Sequence, residues 1–390
     1  FIAISKMENN PCHQLIRFIK QNRIALLTIL LISIVTRFYL LGTYPYILDV
    51  DAVRDTGLNA QQETIDPFSL GSYNGYGNII TSIAHIFADK VTHAPLMYLL
   101  PSALFSIGGI LLTFILGAKI CNTKIAFGAS LFVIGSLNNL NYARKELVPI
   151  TDSFFGPLIV LATLLVHRGV YGFLFLGIIN GVAFHFYAAI RGFIVISCLY
   201  AGYTIVRQLR KKHLAKSIMF ATHAIVLFAI GLYIGIGPTK THLNKENMSG
   251  SGNGKLIFTD ENFTQKPFFE QAGQIRDVYV KSFVSYVSGE LSSHFTYAKP
   301  LLDFPVSALF LVGVASLFFI RSDKNHTGRG AILLFILLFP LTNQTIINSF
   351  TFEHRYNAII PIASIAAAVG LEQALRALPR MRAIGFYMLA

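Results

Sequence analysis

Three carboxylates and a guanidinium crowd residues 49–55 as Asp49, Asp51, Arg54 and Asp55, in a chain that carries few charges. If 51–55 forms a helical turn, Asp51, Arg54 and Asp55 stand at i, i+3 and i+4 on one face. A carboxylate in such a place can take the proton of a hydroxyl acceptor. Four further groups of ionisable residues lie in or beside apolar runs. They are Arg37; Arg144, Lys145, Glu146 and Asp152; His185, Tyr187 and Arg191; and Glu353, His354 and Arg355. Arginine pairs bidentately with phosphate. Carboxylates facing arginines at one depth therefore suit transfer of a group from a phosphate, with cations stabilising the leaving anion.

The elements that must hold these residues are set by composition. Of 390 residues, 54% are hydrophobic and 13% charged, and mean hydropathy is +0.57. Soluble domains carry about twice that charged share, so the chain reads as a polytopic membrane protein. The net charge of +13 does not indicate nucleic acid, because Lys and Arg fall between apolar runs and form no patch. Cys12, Cys121 and Cys198 are too scattered for a disulfide framework or a zinc site.

Ten apolar runs are expected to be transmembrane helices, at 24–41, 96–116, 125–140, 153–166, 171–187, 192–206, 218–236, 304–320, 331–346 and 357–375. The short runs within 125–170 leave most room for a shifted boundary. Basic residues mark the cytoplasmic side: Arg17, Lys20 and Arg23, then Arg207, Arg210, Lys211 and Lys212, and finally Arg376, Arg380 and Arg382. The expected organisation is a cytoplasmic segment 1–23 and a transmembrane domain 24–236 whose first outer loop is 43–94. An extracytoplasmic loop 237–302 and further transmembrane helices over 303–390 follow. Both long loops are expected to contain short amphipathic helices. The first run is long enough to be an anchor, with no cleavable signal peptide evident. The chain begins with Phe1 and ends within an apolar run, so both ends read as edges of a longer sequence.

This topology puts all five polar groups near the outer surface. Each alone has a plainer reading, as a snorkelling or structural residue. Asp152 reads equally as a helix N-cap and as a second-loop carboxylate of a site. Tyr187 and Arg191, one turn apart, fit an aromatic belt with a snorkelling arginine, although contact with phosphate accounts better for Arg191. The segment 71–77 is glycine-rich but lacks the Lys-Ser/Thr of a phosphate loop. Asn247-Met-Ser and Asn262-Phe-Thr match the glycosylation triplet, and His85 and His93 lack partners at ligand spacing. Convergence from five parts of the chain favours a site, since ionisable groups are costly in a membrane.

The sequence also resembles the GT-C glycosyltransferases, among them protein O-mannosyltransferases and the aminoarabinose transferase of lipid A. The resemblance rests on Arg37-Phe-Tyr-Leu-Leu-Gly-Thr-Tyr-Pro45 followed by Asp51-Ala52, on Leu99-Leu-Pro-Ser-Ala-Leu-Phe105, and on Asn141-Tyr-Ala-Arg-Lys-Glu146 leading to Asp152. It continues through Gly181-Val-Ala-Phe-His-Phe-Tyr-Ala-Ala-Ile-Arg191 and His354-Arg355 before Pro361. It runs in order through most of 30–375. It implies a polyprenyl-phosphate sugar donor, an inverting reaction on the outer face and a first-loop Asp as base. Matched to the family's Asp-Glu-Ala, Asp51-Ala52 leaves Val50 where the family has its Asp. Matched to relatives with Asp-x-x-Arg-Asp, Asp51 becomes the base and Asp55 stays in play, and this alignment also accounts for Arg54.

The expectation is thus an all-α, GT-C-like glycosyltransferase of the plasma membrane, with its N-terminus cytoplasmic and its active site extracytoplasmic. Asp51 and Asp55 are the catalytic candidates. Asp49, Arg54, Arg37, Arg144, Asp152, Tyr187, Arg191, His354 and Arg355 are the substrate-binding ones. The expected partners are a lipid-phosphate-linked sugar and membrane lipids, not nucleic acid. No cofactor is firmly predicted, and ligand spacing does not support a divalent cation. The rival readings are a flippase for lipid-linked glycans or another polytopic transporter, and a scaffold without catalysis. A transporter calls for mid-span charges and repeated halves, and neither is visible in the sequence.

Overall fold

The computed structural model describes residues 11–39, 41, 83, 86, 95–144, 149–186, 189–210, 214–237, 261–288, 301–319, 326–342 and 353–378. These are helical, with no strand among them. The helices are α1 (Pro11–Phe38), α2 (Pro95–Ile120), α3 (Thr123–Gly135), α4 (Leu137–Ala143), α5 (Ile150–Leu165) and α6 (Val170–Ala183). They continue with α7 (Ile190–Leu209), α8 (Leu214–Ile236), α9 (Phe268–Val284), α10 (Phe304–Phe319), α11 (His326–Pro340) and α12 (Ile360–Ala377). A one-turn helix (Glu261–Thr264) and two 3-10 turns (Val166–Arg168 and Glu353–Tyr356) complete the described elements.

Each apolar run expected to cross the membrane is met by a helix. Six segments, in α1, α2, α5 together with the 3-10 turn that follows it, α7, α8 and α12, are long and apolar enough to do so, while α3, α6, α10 and α11 are shorter. The chain is an all-α polytopic membrane protein. Its outer faces support this: α1 exposes Leu27, Leu31 and Val35, and α8 exposes Met219, Ile225 and Ile230. Apolar stripes of this extent suit hydrocarbon rather than water.

α12 lies at the centre, packed against α10, α3, α2, α5 and α11. Every residue from Ile360 to Gly370 is buried. Small side chains at Ala363, Ser364 and Ala366–Ala368 allow this all-round approach, as expected for a helix apolar on every face. Pro361 stands in its first turn, where a missing N–H costs nothing.

The third expected span, 125–140, is broken in two. α3 ends at Gly135, Ser136 turns extended (φ −62°, ψ 115°) and α4 begins at Leu137. The Ser136 hydroxyl accepts from the Asn139 amide and so starts the second helix. The fifth span ends at Ala183, earlier than expected, and passes into a turn through Phe184–Phe186.

Two glycine seams let backbones touch. A side chain at Gly177 would strike the Phe228 carbonyl, and one at Gly231 the Leu174 carbonyl. At Gly181 an added Cβ would lie 2.7 Å from the Gly235 Cα. Gly177/Gly181 on α6 thus interdigitate with Gly231/Gly235 on α8, two small-xxx-small patterns in register. Similarly, Gly313 on α10 faces the Ala366 carbonyl and Gly370 on α12 faces the Leu309 carbonyl. In lipid, where apolar burial between helices gains little, such close approach is what holds α8 to the bundle. Gly235→Leu should therefore lower thermal stability in detergent by roughly 1–3 kcal/mol. Gly202→Leu, on α7 with open space around it, should leave the midpoint unchanged; equal midpoints for both variants would refute the seam.

Candidate functional site

The end of α1 is fixed by a buried cation. Arg37 is fully buried, and all of its donors are used. Nε donates to Ser106 Oγ (3.1 Å), Nη1 to Ile134 O (2.9 Å) and Thr36 Oγ1 (2.9 Å), and Nη2 to Asn139 Oδ1 (2.8 Å) and Val133 O (3.3 Å). Ser106 Oγ also donates to Asn139 Oδ1 at 2.8 Å. The break at Ser136 frees the last carbonyls of α3, and these are what the guanidinium takes. One side chain thereby joins α1, α2, α3 and α4. Arg144 acts on the same helix end: Nη1 donates to Tyr39 O (2.7 Å) and Thr36 O (3.2 Å). Both arginines, expected to meet a ligand, here serve helix C-termini, where cations are favoured.

A second corner forms where α5, α7 and α12 begin. The N-cap of α5 is Pro149, so Asp152 is not the cap; it lies in the first turn. Its carboxylate is fully buried, and neither oxygen has a hydrogen-bond partner among the described residues. Arg191, in the first turn of α7, is near enough to attract it electrostatically. The Arg191 guanidinium carbon also lies 4.6 Å from the centre of the Phe184 ring, a cation–π contact.

One turn along α5 from Asp152, Gly156 packs on the carbonyl of Ala358. That contact lays the segment carrying His354 and Arg355 against the start of α5. Asn357, in the same segment, is fully buried, and neither end of its amide is bonded among the described residues. Asn357 was missed in the sequence, where attention to charge passed over an amide; its place just before a buried helix was the available signal.

The turn Glu353–Tyr356 is tied to the end of α9. Tyr356 Oη donates to Ser282 O (3.0 Å) and accepts from Ser285 Oγ (3.0 Å). Burial pushes the Tyr356 phenol up to about 12, so it stays a neutral donor. Leu301 N donates to Ser285 O and Leu302 N to Tyr286 O. The end of α9, residues 301–302 and the Arg355 turn thus share one network.

Of the other expected residues, Asp49, Asp51, Arg54, Asp55 and Tyr187 lie outside the described residues, as do the side chains of Glu353 and His354. Among the described residues no three His, Cys, Asp or Glu side chains converge. The geometry brings together Asp152, Arg191 and the Arg355 segment, and it engages Arg37 and Arg144 elsewhere.

The arrangement of helices has solved counterparts. An archaeal oligosaccharyltransferase, AglB from Archaeoglobus fulgidus, in complex with an inhibitory peptide and a dolichol-phosphate, matches with TM-score 0.54 at 12% identity. The match covers 94% of this chain and 52% of that one. The same organism's enzyme in complex with zinc and sulfate matches with TM-score 0.51 at 13% identity, over 93% and 51%. The chain shares the helical fold of these membrane proteins. It spans about half their length. No protein-family model matches the sequence, and no curated protein does.

Two predictions follow from the buried groups of this bundle. Arg37→Met should take the donor from the Ile134 carbonyl and leave Val133 O with Ser136 N alone and Asn139 Oδ1 with Ser106 Oγ alone, at a cost of about 1–3 kcal/mol, read as lost folded protein in size-exclusion chromatography; an Arg37→Met protein of unchanged stability would refute the hub. His185, buried in the turn after α6, hydrogen-bonds Gly235 O at 3.0 Å. Burial lowers its pKa from 6.5, partly offset by that carbonyl. As pH falls through the window below 6.5, the unfolded chain takes the proton first, so stability drops and levels off beneath the folded value. His185→Gln should flatten this part of a thermal-stability profile, and an unchanged slope would count against it.

Proposed function

We propose that the chain is a glycosyltransferase that moves a sugar from a polyprenyl- or dolichyl-phosphate carrier to an acceptor on the outer face of the plasma membrane. The observation that carries this is the buried corner of Asp152, Arg191 and the Arg355 segment in a GT-C bundle. Three helices, α5, α7 and α12, begin there, and their N-terminal dipoles favour an anion. The neighbour AglB is described with a dolichol-phosphate, and the same chemistry is proposed for this chain.

In this reading Arg191 and Arg355 hold the carrier phosphate. Asp51, with Asp55 second, takes the acceptor's proton as its heteroatom bonds to the anomeric carbon. The bond from that carbon to the carrier phosphate breaks on the opposite face, so configuration inverts and the lipid phosphate leaves. Arg54, Asp49, Tyr187 and His354 line the approach. Arg37 and Arg144 position the start of the catalytic loop and do not touch substrate.

A neighbour is described with zinc, and a divalent cation fits Asp152 insofar as both its oxygens are open. Asp152 with a first-loop carboxylate would hold the ion, which would screen the leaving phosphate.

The test is transfer from a labelled lipid-phosphate sugar in reconstituted membranes. Asp51→Asn should reduce turnover by about 10²–10⁴-fold, and Asp55→Asn less. Full activity in both variants would remove the proposed base. Movement of labelled carrier across the bilayer without transfer would favour a flippase.

A further inference from the structure

The long second outer loop contains an amphipathic helix whose apolar face has no cover among the described residues. Phe268 and Phe269, at the start of α9, are 75% and 85% exposed, and Val280 and Val284 follow on the outward side. The aromatic pair is not on a loose end. Gln271 Nε2 donates to Lys266 O (2.8 Å) and Thr264 O (3.3 Å), and Lys266 Nζ donates to Gln274 Oε1 (3.0 Å). These bonds clip the turn before Pro267 onto the first turns of the helix.

The height of α9 is fixed by α11. Tyr279 Oη donates to Leu337 O at 3.0 Å and Tyr286 Oη to Ile336 O at 3.4 Å. Both acceptors lie in the last turns of α11, an apolar helix that ends at Pro340. α9 therefore starts where the apolar belt of the bundle stops. A cavity of about 550 Å³, lined by Phe263, Phe268, Ile275, Tyr279 and Leu341, opens between the two at this level. Its wall is largely apolar, with Arg276 and Gln271 at its edge. On α9 itself Glu270 and Asp277 balance Arg276 and Lys281, so apolar contact, not net charge, must dominate any association.

We infer that α9 is an interfacial helix, lying on the outer leaflet with Phe268 and Phe269 inserted among lipid headgroups and upper acyl chains. The level of α9 is that of the last turns of α11, and an uncovered aromatic pair at the end of an apolar bundle is what interfacial helices use as an anchor. Arg276 is exposed and paired with Asp277 at 2.8 Å, so it adds no unbalanced charge to this face. The helix thereby holds the second loop, and through Ser282 and Ser285 the Tyr356 turn, against the membrane surface.

The chain contains no tryptophan, so Phe269→Trp gives a single reporter within it. In phosphatidylcholine vesicles its emission should be blue-shifted and should lose about half its intensity with lipid brominated near the headgroup, less with bromine at mid-chain. Ile225→Trp on the lipid-facing side of α8 serves as the deep comparator, with the opposite preference. Water-like emission quenched by iodide would overturn the assignment. So would blue-shifted emission that neither bromolipid affects, which would mean another part of the chain or a second copy covers the face. If Phe269→Trp fails to fold, Phe268→Trp reads the same surface. None of these readings depends on sugar transfer.

Discussion

The Arg37 guanidinium is the interaction on which one end of the bundle depends. A buried cation is costly unless its donors are satisfied, and this one is matched to acceptors that exist only because a helix stops. Breaking the segment 125–140 at Ser136 releases the Val133 and Ile134 carbonyls, which carry the partial negative charge of a helix C-terminus. The cation and the break stabilise each other: without the break the arginine loses the Val133 and Ile134 carbonyls, and without the arginine the Ile134 carbonyl loses its donor and Val133 O keeps only Ser136 N. The residues joined come from four helices, so this junction fixes how the ends of α1, α3 and α4 meet α2.

That mutual dependence explains what the sequence could and could not disclose about the fold. Hydrophobic length is local, so every apolar run became a helix near its expected place, and α12 kept its all-round apolar pattern when packed. The break was hidden because nothing between Ile125 and Leu140 requires it; the requirement comes from Arg37, about a hundred residues earlier in the chain. Gly177, Gly181, Gly231 and Gly235 were readable as spacing, yet their pairing is a relation between two helices that spacing within one cannot specify.

The candidate site shows the same division. Of the ionisable residues singled out in the sequence, Asp152, Arg191 and Arg355 lie at or just before the starts of α5, α7 and α12. Partners were not. Arg37, Arg144 and Arg191 look alike as arginines near the outer surface, but burial divides them. Two cap helix ends, and the third faces a carboxylate and an aromatic ring. Asp152 carried two equal readings, and the chain's entry into α5 through Pro149 removed the capping one. Asn357 escaped notice because an amide costs little where water can reach it, and only burial without bonds makes it conspicuous.

The balance of charge in that corner constrains what it can accept. The helix starts at Ile150, Ile190 and Ile360 carry partial positive charge, and Arg191 adds a guanidinium. Asp152 supplies a buried carboxyl group whose oxygens no described group bonds. An anion alone would satisfy the helix ends and leave the carboxylate without donors. A metal ion alone would satisfy the carboxylate and oppose the helix ends. A ligand that offers both an anionic oxygen and donors or a bound cation a few ångströms away satisfies all of them at once. A sugar joined to a phosphate has that pattern, with hydroxyls beside an anion, whereas a plain acyl lipid does not. In the proposed reading, the corner's polarity suits the head of a glycosylated lipid phosphate rather than its tail.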